Sequence, residues 1–398
     1  MKITISLPKV VGEDLAADLE KQAVYASHLV RSLRVAADRK SVEVIGDDGA
    51  PEAEVRAKVE RYLEAMVTRF RSIERKVLVQ TQRKDKAPLE TGVYEELKRR
   101  QWVFELGRGQ CGFAGPALAL HRALDDTFTR IGRERFAAVD QNYPTLIPSD
   151  ILARCGYFTS FPHAVSMVVH LIEDYDLIEE FRQANAESAL SGLKVPKPQV
   201  FGVPEACLQP AVCYHCYQAI EHQTLPASGH TVTSAGQCFR YESKNIAGLD
   251  RLWDFKMREI IFVGTEEWVV KKREEAIQIV AAQIQEWDLE CSIESANDPF
   301  FAAAYAAKTY WQMRGDLKYE MRLTVEPGDK GEARTIAAGS FNLHENFFGK
   351  TFQITAADGQ PACTGCTAFG IDRWVLSAFA QHGFEPDRWP ASLRGIFA

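Results

Sequence analysis

The 398-residue chain has no uninterrupted apolar run of about eighteen residues, the length that a membrane-crossing helix needs. Its opening, "MKITISLPKVVGEDLAADLE", turns acidic too soon for a secretory signal, so a cytoplasmic protein with no membrane partner is expected. An excess of positive charge is also missing. The formal net charge is −7, which argues against a large nucleic-acid surface, because phosphate neutralisation needs clustered Lys and Arg. There is no internal repeat and no low-complexity tract. What is present is ordinary for a globular protein: 46% hydrophobic and 25% charged residues, enough for a sizeable core in one large or two smaller domains. The nine cysteines are an odd number in a chain without an export signal, which points to reduced thiols, some of them metal-bound, rather than a disulfide framework.

Residues 1–80 predict a small module of order β-α-β-β-α-β. Strands are expected at 2–7, 30–36, 41–46 and 75–80, with helices at 11–28 and after Pro51, where Val55, Val59, Leu63, Met66 and Phe70 share a face. That order is the ferredoxin-like one. A polar, Pro-containing linker is expected at 81–92 and a larger domain at 93–398. In the larger part strands and helices mix without regular βα alternation, which favours an antiparallel sheet with helices over a doubly wound parallel one. Strands are expected at 229–243, 252–264, 316–325, 334–343 and 350–355, with a helix from about 371.

Two Cys-x-x-Cys pairs stand out, Cys213/Cys216 in "PAVCYHCY" and Cys363/Cys366 in "PACTGCTAFG". A structural zinc in a four-thiolate cage is the usual meaning of such pairs. These lie far apart and on what read as core strands, which leaves open a catalytic centre using only some of the thiols. His215, inside the first pair, reads as a core or surface residue rather than a ligand. A second group surrounds the 229–264 segment. Arg240 and Glu242 are two apart and share a face if they lie on a strand, as do Phe255, Met257 and Glu259. A guanidinium grips a phosphate, a carboxylate accepts from a base amino group, and an aromatic ring stacks on a base. Cross-strand ion pairs on a half-wet sheet explain the same residues equally well. Arg373, just after Gly370 at a helix start, adds a second grip for a polyphosphate.

In order along the chain, "YPTLIPSDIL" (143–152), "FRYE…FKMRE" (239–259) and "FGIDRWVLSAF" (369–379) resemble motifs 1, 2 and 3 of class II aminoacyl-tRNA synthetases. Within that class the chain is similar to zinc-dependent, archaeal-type seryl-tRNA synthetases. It is more similar to their truncated bacterial homologues, the amino acid:[carrier protein] ligases, through "YFTSFP", "MREIIFVGT", "ANDPFF", "LKYEM", "SFNLHENFFG" and "WPASLRG". The resemblance covers about residues 90–398. It implies an α+β fold, a class II synthetase-like antiparallel sheet with flanking helices behind the ferredoxin-like module.

The resemblance also implies a zinc that binds the substrate amino group, with Cys213, Glu259 and Cys366 as ligands and Cys216 and Cys363 as bystanders. Three ligands leave the fourth position open, as substrate binding requires. ATP would be held by Arg240 at the α-phosphate and substrate carboxylate, Glu242 at the adenine amino group, Phe255 on the adenine ring and Arg373 at the γ-phosphate. Magnesium should accompany ATP, although "TIAAGSFN" lacks the acidic residue that seryl-tRNA synthetases place before Ser-x-Asn. Asn342 occupies the matching polar position and faces either the substrate or a turn. The implied reaction is adenylation of a small amino acid (Gly, Ala or Ser) and transfer to a phosphopantetheine thiol of a carrier protein, by a homodimer joined through motif 1. Two other readings are a synthetase charging tRNA and a catalytically inactive, amino-acid-sensing paralogue. Against the last stand the retained Arg240, Glu242, Arg373 and zinc candidates.

Overall fold

The computed structural model describes residues 1–68, 70–84, 89, 91–186, 192–327 and 333–397. Its centre is an eight-stranded sheet in the order Val77–Thr81, Cys291–Ser295, Lys318–Glu326, Arg334–Leu343, Cys363–Gly370, Asp254–Gly264, His230–Phe239 and Val139–Asp140. All neighbours are antiparallel except the last pair, which is parallel. One face is covered by helices Gly115–Phe136, Glu266–Glu286 and Ile371–His382. Each turns an apolar stripe inward: Leu120, Leu124 and Phe128; Ile277, Val280 and Ile284; Trp374, Val375 and Phe379. Phe128 stacks on Phe369 of the sheet with ring centres 3.9 Å apart. Burying each such side chain contributes about 1.5–3 kcal/mol, so this face anchors the sheet. The opposite face is covered only in part, by a second apolar cluster that includes Ile147, Leu152, Tyr217, Ile261, Val263 and Phe352. The expected antiparallel sheet with flanking helices is therefore present. Among the described residues no helix is long and apolar enough to cross a membrane.

The N-terminal module differs from the ferredoxin-like expectation. Strands Lys2–Ser6, Ser41–Gly46 and Val30–Val35 form a three-stranded antiparallel sheet in that spatial order, packed on helices Glu13–Gln22 and Glu52–Val67. The expected fourth strand, Val77–Thr81, instead pairs with Cys291–Ser295 at the edge of the large sheet. Its anchors explain why. Arg75 pairs with Glu294 at 3.0 Å, the Lys76 N–H donates to Ser295 Oγ at 2.8 Å, and the buried Thr81 hydroxyl donates to the Leu289 carbonyl at 2.7 Å. A boundary at residue 80 thus falls within an edge strand of the large domain. Of the expected linker, residues 85–88 and 90 lie outside the described ones.

The module shares its core with the large domain. Phe300 and the fully buried Tyr305 belong to the module's apolar cluster, and the Tyr305 hydroxyl donates to Asp18. Lys244 Nζ donates to the His28 and Val30 carbonyls at 3.0 and 2.6 Å, and Asn245 Nδ2 to the Lys21 carbonyl at 2.7 Å.

Two local expectations are corrected. Residues 350–355 are not a strand: helix Phe347–Thr351 ends there, and Phe352 and Ile354 alternate because both drop into the second apolar cluster. The first cysteine pair is not on a strand either. Strand Ala206–Leu208 stops short of Pro210, which has no N–H for a ladder, and Cys213 opens helix Cys213–Ala219.

Candidate active site

Residues directly opposed on neighbouring strands point to the same side of a sheet. Here Lys318 opposes Asn342, which opposes Cys366; Glu320 opposes Ser340, which opposes Ala368; and Ala368 opposes Glu259. Phe255, Met257 and Glu259 alternate along one strand to the same face. The helix-covered side receives Ile260, Phe262, Phe341, Phe369 and Cys363. Cys363 and Cys366, an odd number of residues apart, therefore leave the sheet on opposite faces. Only Cys366 reaches the site.

Cys213, Glu259 and Cys366 come together: their ligand atoms lie within 4.8 Å of one another, and all three residues are buried. Glu259 is both scaffold and candidate ligand. Its Oε1 accepts the N–H groups of Val212 at 2.8 Å and Cys213 at 3.3 Å, the otherwise unsatisfied donors at the start of the cysteine-bearing helix. Its Oε2 is buried without a hydrogen-bond partner. Asn342 Nδ2 donates to Cys366 Sγ at 3.3 Å and to Ser340 Oγ at 2.9 Å, so Asn342 faces the cluster rather than a turn. The neighbouring Cys366 thiol and burial push the Cys213 thiol well above its ordinary range. The hydrogen bond with Cys213 favours the Cys366 thiolate, but burial and the Glu259 carboxylate outweigh it, and that thiol is raised too. Two thiols and a carboxylate in one buried pocket repel as anions, and a divalent cation among them removes that conflict. The sulfur–oxygen donor set and the orphaned Oε2 fit zinc.

Cys216 is fully buried, its thiol pushed up to about 12 by burial, and lies outside the three-residue cluster, as does Cys363. Among the described residues the four-thiolate cage is not formed, and all nine cysteines are free. His215 is buried, stacks on Tyr143 at 5.7 Å and is likewise outside the cluster.

The cluster opens into a cavity of about 230 Å³, which meets a second cleft of about 100 Å³. Arg240, Glu242, Met257, Lys318, Ser340 and Ala368 line both. Phe255 and Arg373 line the second. Strand His230–Phe239 ends before Arg240, so Arg240 and Glu242 are held together by loop contacts rather than by strand alternation. The Arg240 Nε donates to the Pro210 carbonyl at 3.1 Å, and its guanidinium lies 5.5 Å from the Phe255 ring centre. Glu242 pairs with Arg251. Burial opposes ionisation of Glu242, but Arg251, Lys21 and Arg373 together hold its carboxyl below the usual range. Arg373 donates from Nε to the Asp250 carbonyl and from Nη1 to the Ala337 carbonyl, both at 2.7 Å. A guanidinium carries five N–H donors, so this anchoring leaves others for a ligand.

Several cavity residues were not singled out from the sequence. Lys318 is buried and pairs with Asp298 at 2.5 Å and Glu320 at 3.1 Å. The alternation of Lys318 and Glu320 along one strand was a usable signal for part of this group. His344, held neutral by burial with its pKa lowered to about 4, also lines the larger cavity. So do Lys21, Gln22 and Tyr25 of the N-terminal module, which no local pattern announced.

This geometry matches the class II synthetase architecture. Residues 203–382 match the family model of the tRNA synthetase class II core domain (G, H, P, S and T). Amino acid–[acyl-carrier-protein] ligase 1 of Bradyrhizobium diazoefficiens is 33% identical over 258 residues, 64% of this chain and 74% of that protein. The type-2 serine–tRNA ligase of Methanocaldococcus jannaschii is 30% identical over 312 residues, 77% of this chain and 58% of that protein. Among solved structures, M. kandleri SerRS in complex with A. aeolicus tRNASec superposes with a TM-score of 0.72 at 21% identity, covering 99% of this chain and 77% of that one. The cytoplasmic serine–tRNA ligase of Naegleria fowleri in complex with AMP gives 0.58 at 12% identity, covering 87% and 79%. At such identities these two speak for the fold alone. The chain belongs to the class II synthetase-like ligases, in the group that holds archaeal-type seryl-tRNA ligases and amino acid–[acyl-carrier-protein] ligases. It spans 58% of the length of the M. jannaschii relative.

Proposed function

We propose that this chain activates a small amino acid (Gly, Ala or Ser) with ATP and passes the aminoacyl group to the phosphopantetheine thiol of a carrier protein. The observation that carries the reading is the continuity of the two cavities. The cavity of the Cys213–Glu259–Cys366 cluster and the Phe255–Arg373 cleft share Arg240, a layout that supports an amino acid and a nucleotide bound end to end.

In the first step a substrate carboxylate oxygen attacks the α-phosphorus in line, the bond to the leaving phosphate breaks, and aminoacyl-adenylate and pyrophosphate form. Arg240, at the junction, balances charge on the α-phosphate and carboxylate as it shifts between them. Phe255 stacks on the base, Glu242 accepts from the adenine amino group, and Arg373 binds the γ-phosphate from its carbonyl-anchored position. Catalysis of this kind is mostly positioning and charge stabilisation. Zinc held by Cys213, Glu259 and Cys366 would supply a Lewis-acidic site for the neutral α-amino group, with Asn342 donating to the Cys366 sulfur. Magnesium would come with ATP, held through phosphate oxygens and water, since the cavity carboxylates Glu242, Glu320 and Asp372 already have partners. In the second step the acceptor sulfur attacks the acyl carbon and AMP leaves.

The thiol acceptor is favoured by 33% identity across 74% of a carrier-protein ligase. A tRNA acceptor is the second reading, favoured by the 30% identity over 312 residues to the type-2 serine–tRNA ligase of M. jannaschii. An inactive sensor is disfavoured by the assembled site. A homodimer through residues 143–152 is supported by Leu146, exposed on an edge strand of a short three-stranded sheet. The deciding experiment incubates the enzyme, ATP and each small amino acid with holo-carrier protein or with tRNA. Thioester on the carrier alone supports the proposal; ester on tRNA alone replaces it.

A further inference from the structure

The N-terminal module lies outside the segment matched to the family core, yet it forms part of the larger cavity. The C-terminal end of helix Glu13–Gln22 and the turn after it bring Lys21, Gln22 and Tyr25 to the same cavity as the Cys213–Glu259–Cys366 cluster. Gln22 is only 3% exposed, and its Nε2 has no hydrogen-bond partner. Leaving a buried amide donor unpaired is unfavourable, so a partner is owed here. Across from it, His163 also lines the cavity, with its ring centre 4.5 Å from that of Tyr25 and its buried Nδ1 unpartnered. The Lys21 ammonium has no hydrogen bond or ion pair among the described residues. Its backbone is tied down by Asn245, and burial followed by the nearby Arg251 depresses its pKa. The carboxylate of this quarter, Glu242, is already paired with Arg251. The wall thus presents donors and a cation, without an unpaired acid of its own.

We propose that Lys21 and Gln22 are substrate-binding residues supplied by the N-terminal module, and that the group they hold is a phosphate ester. Two sources fit that chemistry: the phosphates of ATP and the phosphodiester of a phosphopantetheine arm. A phosphate oxygen accepts from the Gln22 amide and pairs with the Lys21 ammonium. The module's anchoring through Lys244, Asn245 and Tyr305 then keeps this wall in register with Arg240. The ligands named rest on the proposed ligase reading, whereas the wall is a feature of the chain itself.

Two measurements on the full chain test it. In steady-state assays of exchange and transfer, Lys21→Met and Gln22→Leu should raise KM for ATP, or for the carrier, by roughly tenfold with kcat nearly held. Lys21→Arg should restore most of the loss, and Lys58→Met, on the module's outer helix, should change nothing. Which KM moves identifies the source of the phosphate. Because a variant can fail to fold, amine-directed labelling of wild-type protein is the second readout: ATP or free 4′-phosphopantetheine should protect Lys21. Unchanged KM values for both, or a rise confined to the amino acid, overturn the proposal, as does labelling of Lys21 that neither ligand alters. Protection of Lys21 in a protein without pyrophosphate exchange would sink the ligase reading and leave the wall standing.

Discussion

Glu259 positions Cys213: one carboxylate oxygen accepts the Cys213 backbone N–H at 3.3 Å, the other is buried and unpartnered, and the carboxylate comes within 4.8 Å of both cysteine sulfurs. The same side chain thus caps the helix that carries one thiol and brings its carboxylate into the cluster that both thiols form.

That relationship separates a three-ligand site from a four-thiolate cage. Cys213→Ser, Cys366→Ser and Glu259→Gln should each cut zinc content from about one per chain to about a tenth. Cys216→Ser and Cys363→Ser should leave it near one, because neither thiol belongs to the three-residue cluster. Elemental analysis of the purified variants reads this directly. Equal loss from all four cysteines would restore the cage.

Asn342 donates to the Cys366 sulfur, the kind of outer contact that tunes a metal ligand. Asn342→Ala should weaken zinc affinity about 10- to 100-fold in a chelator competition. A protein that resists chelation as the wild type does would confine Asn342 to the substrate or to the fold.

Arg240 and Arg373 should act on the reaction rather than on the metal. Arg240→Ala should lower the adenylation rate by about 10²–10³-fold, the cost of removing one preorganised donor to developing charge. Arg373→Ala should act chiefly on ATP binding, since its role is at the γ-phosphate. Zinc content should stay near that of the wild type in both.

The Lys318–Asp298 pair should govern acid stability. Burial alone would raise Asp298, but Lys318 holds it below the usual carboxylate range. With the folded pKa depressed, the pair's contribution is complete above the ordinary carboxylate value of about 4 and is lost as pH falls through the folded value. Lys318→Met removes the cation from the Asp298 carboxylate and leaves it the Gln312 amide at 2.7 Å, in a cavity where its side chain is 32% exposed. The expected loss is on the order of 2 kcal/mol near neutral pH, below the full cost for a sealed site. The acid-unfolding midpoint should move to higher pH. Denaturant melts across pH check both statements.

The site was legible where chemistry sits in short ordered motifs. Glu259, Phe255 and Met257 alternate on one strand, and Arg373 follows Gly370 at a helix start, so local pattern placed them. The choice of Cys366 over Cys363 came from resemblance alone, although the odd spacing on a strand dictates it once the strand is known. Strand 77–81 went to the wrong sheet because a strand's own residues do not name its partner; Glu294, Ser295 and Leu289, more than two hundred residues away, do. Residues 350–355 carry a strand's alternation, but Phe352 and Ile354 alternate into a core from a turn. Lys21 and Gln22 sit where an amphipathic helix runs out, and nothing nearby distinguishes a cavity wall from a helix end.

The most direct test of the account is amino-acid-dependent ATP–pyrophosphate exchange by zinc-loaded protein, run across all twenty amino acids. Exchange with one small amino acid, abolished when Cys213, Glu259 or Cys366 is changed, is the predicted result. A zinc-loaded, folded protein that exchanges with none of them would contradict the assignment of this site to amino-acid activation.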